Sequence, residues 1–338
     1  MRYILSFIIF AFLVGCNPQE AQKNQNSKEE STESVDSSFS VFDDINQQIK
    51  ANPNSPELYI KRADLQVKNN NYSAAVKDLE RAIGLDSNNA NHYVLLSTLK
   101  FRNKKPAEAM ELLQTALKRD PQNVTANLKV GELFMYLENY ENAFKHINIA
   151  LKQDKFNAEA YFLKGMIYKF QRDSAKAVSS FQTCVEQDPD YYDAHIQLGL
   201  MYASVYDELA LAYYDNALDI RPNSTEALYN KALYLQSVEE LQAADKLYKK
   251  ILEIDPNYYI AYYNMGFLRL VYAEDYDSAA SLFSLAIEKD PNYFEAYYNR
   301  GYAYELAGNN LKALEDYKQA LAIKPDFTLA AKGVNRLQ

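Results

Sequence analysis

From residue 41 onward, apolar and polar positions follow the period of an amphipathic helix. Within residues 158–191, apolar side chains recur at helical spacing until the polar run QRDS interrupts them. A second amphipathic stretch then ends at Asp188-Pro189, because proline cannot continue a helix. This pattern predicts two antiparallel helices joined by a turn. The apolar faces contain Tyr161, Phe162, Met166 and Phe170 in the first helix, and Ala177, Phe181, Cys184 and Val185 in the second.

The same pattern returns about every 34 residues. Such a period is typical of a helix-turn-helix unit that buries its apolar face only by stacking on copies of itself. Three series of positions keep this register. They are Ala75, Ala109, Ala143 and Ala177; Ala82, Ala116, Ala150, Cys184, Ala217, Ile251, Ala286 and Ala320; and Pro121, Pro189, Pro222, Pro256, Pro291 and Pro325.

Residues 56–327 resemble the tetratricopeptide repeat, which places an aromatic residue near position four, small residues at positions eight, twenty and twenty-seven, and proline at position thirty-two. The eighth position must be small, because the two helices of a pair approach closely there. The resemblance implies an all-α fold, a right-handed α-solenoid of about eight repeats. The eighth-position residues are Ala63, Ser97, Gly131, Gly165, Gly199, Ala232, Gly266 and Gly301.

The predicted domain organisation has a solenoid over 41–338. Amphipathic stretches at 41–51 and 328–338 are expected to cap its ends, which would otherwise expose apolar faces. The fifth repeat lacks one residue and the seventh has one extra, both in turns, where length drift costs little stability. The predicted repeats are 56–89, 90–123, 124–157, 158–191, 192–224, 225–258, 259–293 and 294–327.

The first forty residues differ from the rest. Arg2 precedes an apolar run that ends Leu-Val-Gly-Cys, which resembles the lipobox of bacterial lipoproteins. The resemblance implies a signal peptide at 1–15 and a lipid on Cys16; an uncleaved N-terminal anchor is the alternative. Residues 16–40 are polar and predict a disordered linker. Because no aspartate follows Cys16, the resemblance favours the outer membrane of the bacterial cell envelope.

Composition and charge narrow the class of partner. The chain has 338 residues, 48% of them hydrophobic, with 29 tyrosines and no tryptophan. Its net charge is -9 and it has no dense cluster of lysine and arginine. Because nucleic-acid affinity depends on clustered cations, a nucleic-acid partner is not expected.

Catalytic chemistry is not expected either. The three histidines, His92, His146 and His195, share no local motif, and His195 occupies a packing position. Cys184 occupies a small core position, where a buried thiol is unreactive. The chain has no glycine-rich phosphate loop and no dense acidic calcium loop. We therefore expect no enzyme activity, no cofactor and no metal.

The resemblance implies that the first helix of each repeat lines a concave groove that binds peptides or helices. Fifth positions there are apolar, and asparagine occupies the sixth position in three consecutive repeats. Such a ladder can bond an extended main chain, although these residues can also serve packing alone. The sequence lacks the lysines and arginines with which some members of this family clamp a carboxyl-terminal tail, so such a tail is not the expected ligand. The candidate groove residues are Asn230, Asn264, Asn299, Tyr229, Tyr263, Tyr298, Phe267 and Tyr302.

Together these features predict a non-catalytic protein–protein interaction scaffold, tethered to the bacterial cell envelope by an N-terminal lipid. Its partner would be another envelope protein, bound through an extended peptide or a helix. The alternative is a lipoprotein that captures glycans or small ligands in a tyrosine-rich groove, although tryptophan, the largest stacking side chain, is absent.

Overall fold

The computed structural model describes residues 33–338, with side chains from residue 41 onward. Over this range the chain forms helices and short turns, and no strand occurs in it. Consecutive helices pack as pairs, so the predicted all-α solenoid of helix-turn-helix repeats is confirmed. The predicted signal peptide and Cys16 lie outside the described residues.

The chain divides into two compact units, and the division falls between Ala126 and Asn127. The helices of unit 1 are α1 (Glu33–Ala51), α2 (Pro56–Lys68), α3 (Tyr72–Leu85), α4 (Ala90–Arg102) and α5 (Pro106–Arg119). Helix α6 (Val124–Tyr136) contains the division.

Unit 2 continues the alternation of first and second helices and ends with a single helix. Its further helices are α7 (Tyr140–Gln153), α8 (Ala158–Phe170), α9 (Ser174–Gln187), α10 (Tyr192–Ala203), α11 (Leu209–Ile220), α12 (Thr225–Ser237), α13 (Leu241–Ile254), α14 (Tyr259–Val271), α15 (Tyr276–Lys289), α16 (Phe294–Leu306), α17 (Asn310–Ile323) and α18 (Thr328–Leu337).

Helix α1 begins at Glu33, whereas the sequence predicted a helix from residue 41 and a linker before it. Ile45 and Ile49 of α1 are buried against Leu58 and Tyr59 of α2. Once packing has fixed these turns, extending the helix adds one hydrogen bond for each residue ordered. An anchored helix can therefore grow into a polar segment that would not form a helix alone.

Glycines let the two helices of a pair approach each other. A Cβ placed on Gly165 would lie 2.6 Å from the ring of Phe181, and one on Gly266 would lie 2.9 Å from the ring of Phe283. Both rings are fully buried. The ring of the second helix thus fills the space that the missing side chain leaves on the first, as the small eighth positions predicted.

Each turn within a repeat contains one residue in the left-handed region. For residues other than glycine this conformation costs about 1–2 kcal/mol, and asparagine tolerates it better than most. Only the first and last of these turns use asparagine or glycine. The residues are Asn70, Lys104, Glu138, Arg172, Tyr206, Glu239, Glu274 and Gly308, with φ between 53° and 80°.

A half-buried arginine connects helices of neighbouring repeats in each unit. Arg62 donates two hydrogen bonds, of 2.6 and 2.7 Å, to the carboxylate of Asp78 and a third, of 2.8 Å, to Asn46 on the preceding helix. A carboxylate and a guanidinium paired in this two-bond geometry bind strongly. The same arrangement recurs in unit 2 at Arg300, Asp316 and Ser284.

Candidate partner-binding face

The first helices of unit 2 present residues in matching positions to one side. Their sixth and ninth positions are three residues apart and so lie above one another on the helix surface. Contacts between α10 and α12, and between α14 and α16, bring these helices side by side. We call this surface the first-helix face. It contains Gln197, Leu200, Asn230, Leu233, Asn264, Phe267, Asn299 and Tyr302.

The three asparagines do not share one environment. Asn230 is half-buried on α12, and its amide has no hydrogen-bond partner among the described residues. Asn264 is 7% exposed, and its amide nitrogen donates to the carbonyl of Ile260, 2.9 Å away on the same helix. Asn299 donates a 2.7 Å bond to the hydroxyl of Tyr263. The amide of Asn230 is thus the freest of the three, while binding by all three stays a prediction.

The fifth-position tyrosines pack between repeats. The ring of Tyr229 lies 5.9 Å from that of Tyr258, and the ring of Tyr263 lies 4.9 Å from that of Tyr293. Tyr298 completes the series against Phe327, at 5.2 Å. The partner rings belong to the residues that immediately precede the following helices: Tyr258 before α14, Tyr293 before α16 and Phe327 before α18. Since aromatic pairs at these distances add stability, the tyrosines join one repeat to the next.

Phe267 and Tyr302 occupy the ninth positions and remain half-buried. The ring of Phe267 meets that of Tyr272 edge-on at 6.5 Å. The ring of Tyr302 stacks parallel to that of Tyr298, with centroids 6.4 Å apart. These two rings, with half-buried Leu233, give the first-helix face an apolar strip beside its amides.

Carboxylates flank the first-helix face at the second position of several first helices. Glu295 on α16 is half-buried, and this burial raises the pKa of its carboxyl group. Glu226 on α12 accepts a 3.2 Å bond from the hydroxyl of Tyr192, while desolvation again raises the pKa. A cation placed beside such a carboxylate would favour its charged form. The first-helix face thus combines amide groups, apolar rings and carboxylates.

Four repeat junctions contain a hydrogen bond that the sequence analysis did not predict. At the fourth position, a tyrosine hydroxyl or a histidine N–H donates to the carbonyl of the residue six positions earlier. His195 uses its Nε2–H for this purpose, so it replaces a tyrosine hydroxyl. The bonds run from Tyr59 to Pro53, Tyr93 to Ser87 and Tyr161 to Lys155, each 3.0 Å, and from His195 to Pro189, 2.8 Å.

The other candidate reactive groups are separated from one another. Cys184 is fully buried, and burial raises the pKa of its thiol to about 12. His146 shares a 2.9 Å hydrogen bond with Asn127, and His92 one of 3.2 Å with the carbonyl of Asp86. Among the side chains that the structure describes, residues 41–338, no three histidine, cysteine or carboxylate groups gather in a way that would hold a metal ion.

Two open cavities lie in unit 1. The first, of about 530 Å³, is lined by the end of α1 and the start of α2, including Gln48, Pro53 and Leu58. The second, of about 310 Å³, lies beside Lys100 and Glu108. These two groups form an ion pair of 2.9 Å. Of the described helices, none combines the length and apolar character that a bilayer-spanning segment requires.

Two solved structures share the fold. A chain of the APC/C hetero-tetramer Cut9–Hcn1 is 14% identical, with a TM-score of 0.56 over 88% of this chain and 58% of that one. PilW, described as a widely conserved type IV pilus biogenesis factor, is 20% identical, with a TM-score of 0.53 over 63% of this chain and 98% of that one. No curated protein sequence matches the chain significantly.

Family models match three stretches of the sequence. The FAT domain model matches residues 26–213, which is more than half of the 338 residues, and tetratricopeptide-repeat models match residues 225–258 and 264–326. The described part of the matched stretches consists of consecutive helix pairs. The chain thus belongs to the FAT domain family, whose model matches residues 26–213, and it contains tetratricopeptide repeats at residues 225–258 and 264–326.

Proposed function

We propose that the chain is a non-catalytic interaction scaffold that binds an extended peptide or a helix of another envelope protein on the first-helix face. The observation that carries this proposal is the row of amide and apolar side chains on the first helices of unit 2, all half-buried except Asn264, which is buried. Such side chains combine an apolar contact surface with hydrogen-bonding groups, as partner-binding surfaces do.

The chemistry of the first-helix face favours a peptide with basic side chains. Asn230 offers both a donor and an acceptor to a peptide bond. Glu226 precedes Asn230 by about one helical turn on α12, and Glu295 precedes Asn299 by about one turn on α16; burial raises the pKa of both carboxyl groups. A lysine or arginine of the partner would relieve the cost of holding these charges away from water.

Attachment to the envelope rests on the sequence. The apolar run after Arg2 and the tetrad Leu-Val-Gly-Cys support cleavage before Cys16 and a lipid on that cysteine. Several acyl chains would anchor the protein stably, since each buried CH₂ contributes about 0.8 kcal/mol. Radiolabelled palmitate should enter the wild-type protein and not a Cys16→Ser variant. Equal labelling of both proteins would refute lipidation at Cys16.

The experiment for the first-helix face compares two double variants. N230A/N299A removes two amides of the face. N148A/N216A removes two exposed amides from the second helices α7 and α11 and serves as the matched control. After crosslinking in intact cells, we expect N230A/N299A to recover less of a defined partner, while the control recovers as much as wild type. Equal recovery by all three proteins would remove the first-helix face from the proposal.

Glycan capture has weaker support. It would need tyrosine rings with free faces, whereas Tyr229, Tyr263 and Tyr298 each pack against neighbouring rings. Calorimetry with cell-wall fragments and oligosaccharides would detect a saturable heat if capture were the function. We expect none.

A further inference from the structure

Three consecutive intra-repeat turns of unit 2 expose large apolar side chains. These turns connect α10 to α11, α12 to α13 and α14 to α15. Single exposed apolar residues are ordinary, but a contiguous group marks a contact surface. The exposed side chains are Val205 (69%), Tyr206 (55%), Leu209 (47%), Val238 (37%) and Tyr272 (38%).

The three turns lie next to one another. Within unit 2, the turns inside the repeats fall at the same end of the helices, because the two helices of each pair are antiparallel and nearly equal in length. The hydroxyl of Tyr234, near the end of α12, donates to the carbonyl of Tyr206 at 3.5 Å. Burial raises the pKa of Tyr272, and the negative charge of Glu239 adds to the rise, so these turns are also close. We call this surface the turn edge.

The turn edge is acidic and has no basic residue. Residues 204–209, 237–241 and 272–276 contain no lysine or arginine. Among the described residues, none of the five carboxylates that follow takes part in an ion pair. They are Asp207, Glu208, Glu239, Glu240 and Glu274.

In each of these turns one residue adopts a left-handed backbone conformation that favours glycine or asparagine. Tyr206, Glu239 and Glu274 adopt φ values of 58°, 63° and 53°, where glycine or asparagine would be less costly. Two of the three turns are also those whose length departs from the repeat, in the fifth and seventh units.

We propose that the turn edge binds a cationic amphipathic helix of another protein. The apolar side chains of the turn edge would pack against the apolar face of that helix, and the surrounding carboxylates would pair with its lysines or arginines. A second copy of the chain is the competing occupant, although its unit 1 turns 68–71 and 102–105 are basic and contain no apolar residue. An anionic lipid surface would be repelled by the carboxylates.

The test uses the full chain and a fluorescein-labelled peptide helix of about five turns, with leucine on one face and lysine on the other. A peptide with glutamate in place of lysine is the control ligand. V205S/L209S removes apolar contacts, and E239Q/E240Q removes two charges. E186Q/E253Q makes the same change in net charge at exposed residues elsewhere in unit 2 and serves as the matched control.

We expect the lysine peptide to bind saturably and the glutamate peptide not to bind. V205S/L209S and E239Q/E240Q should each weaken binding of the lysine peptide about tenfold, while E186Q/E253Q should bind it as wild type does. Equal weakening by E239Q/E240Q and E186Q/E253Q would overturn the proposal, because binding would follow net charge alone. Binding unchanged in V205S/L209S would also overturn it, as would a dimer of the chain that this variant abolishes.

Discussion

At the residue scale, the close approach of paired helices depends on glycines opposite buried rings. We expect Gly165→Ala to destabilise unit 2 by about 1–3 kcal/mol, because the new Cβ would lie 2.6 Å from the Phe181 ring. Gly84→Ala is the matched control: it lies in α3 with no heavy atom within 4 Å of the new Cβ. It should stabilise by about 0.5–1 kcal/mol. Urea unfolding of both variants measures the difference, and destabilisation by both would contradict this account.

Two carboxyl groups should shift stability with pH in opposite directions. Arg336 bonds to Glu305 and lowers the pKa of its carboxyl group, so that carboxylate stabilises the fold above its ordinary pKa and loses this effect as the pH falls. Burial raises the pKa of Glu295, so its ionisation destabilises the fold as the pH rises above the ordinary value.

Replacing each carboxyl group by an uncharged amide should change the urea midpoint in opposite directions. Near neutral pH, Glu305→Gln should lower the urea midpoint and Glu295→Gln should raise it. Below the depressed pKa of Glu305, where both carboxyl groups are protonated, neither should differ from wild type. Midpoints measured across the acidic range test this, and shifts of the same sign at neutral pH would refute it.

Some residue roles could be predicted from sequence and others could not. The small eighth positions were predictable because their spacing alone reveals them. The packing of Tyr229, Tyr263 and Tyr298 was not, because a ring on a first helix can face the groove or the next repeat, and neighbouring rings decide which. The junction bond of His195 could have been predicted from sequence. A hydrogen-bond donor at position four of a repeat lies six residues after position thirty-two of the preceding repeat, whose carbonyl accepts the bond.

At the element scale, the single helix α18 closes the end of unit 2. Gly333 lies over the ring of fully buried Tyr317, and Arg336 donates bonds of 2.9 and 2.8 Å to Glu305. Because Glu305 also accepts a hydrogen bond from the hydroxyl of Tyr317, one carboxylate connects three helices. The amphipathic pattern of the sequence predicted a capping helix here, but it did not predict the ion pair between Arg336 and Glu305.

Removing residues 328–338 should therefore loosen the last pair of helices. We expect amide hydrogens of α17 to exchange at least about tenfold faster, since Tyr317 would then face water. Amides of α10 and α11, far along the chain, should exchange at the wild-type rate and provide the internal control. Unchanged exchange in α17 would show that the cap contributes nothing to local stability.

At the scale of the whole molecule, the period of small residues was enough to predict the class of fold. A register of 34 residues implies stacked pairs, because one pair cannot bury its apolar face alone. The division at Ala126 and the start of α1 at Glu33 could not be predicted, because both depend on packing between helices. The sequence predicted which residues lie on the first helices. It did not predict their hydrogen bonds, such as that of Asn264 within its own helix.

The claim that the first-helix face binds a partner protein can be tested by photocrosslinking in living cells. A photoreactive phenylalanine would replace Phe267 or Tyr302 on the first-helix face, and Leu285, which is 38% exposed on the second helix α15, as control. We predict a covalent product with the same partner from both face positions and none from Leu285. Products of equal yield from all three positions, or from none, would contradict a binding function for the first-helix face.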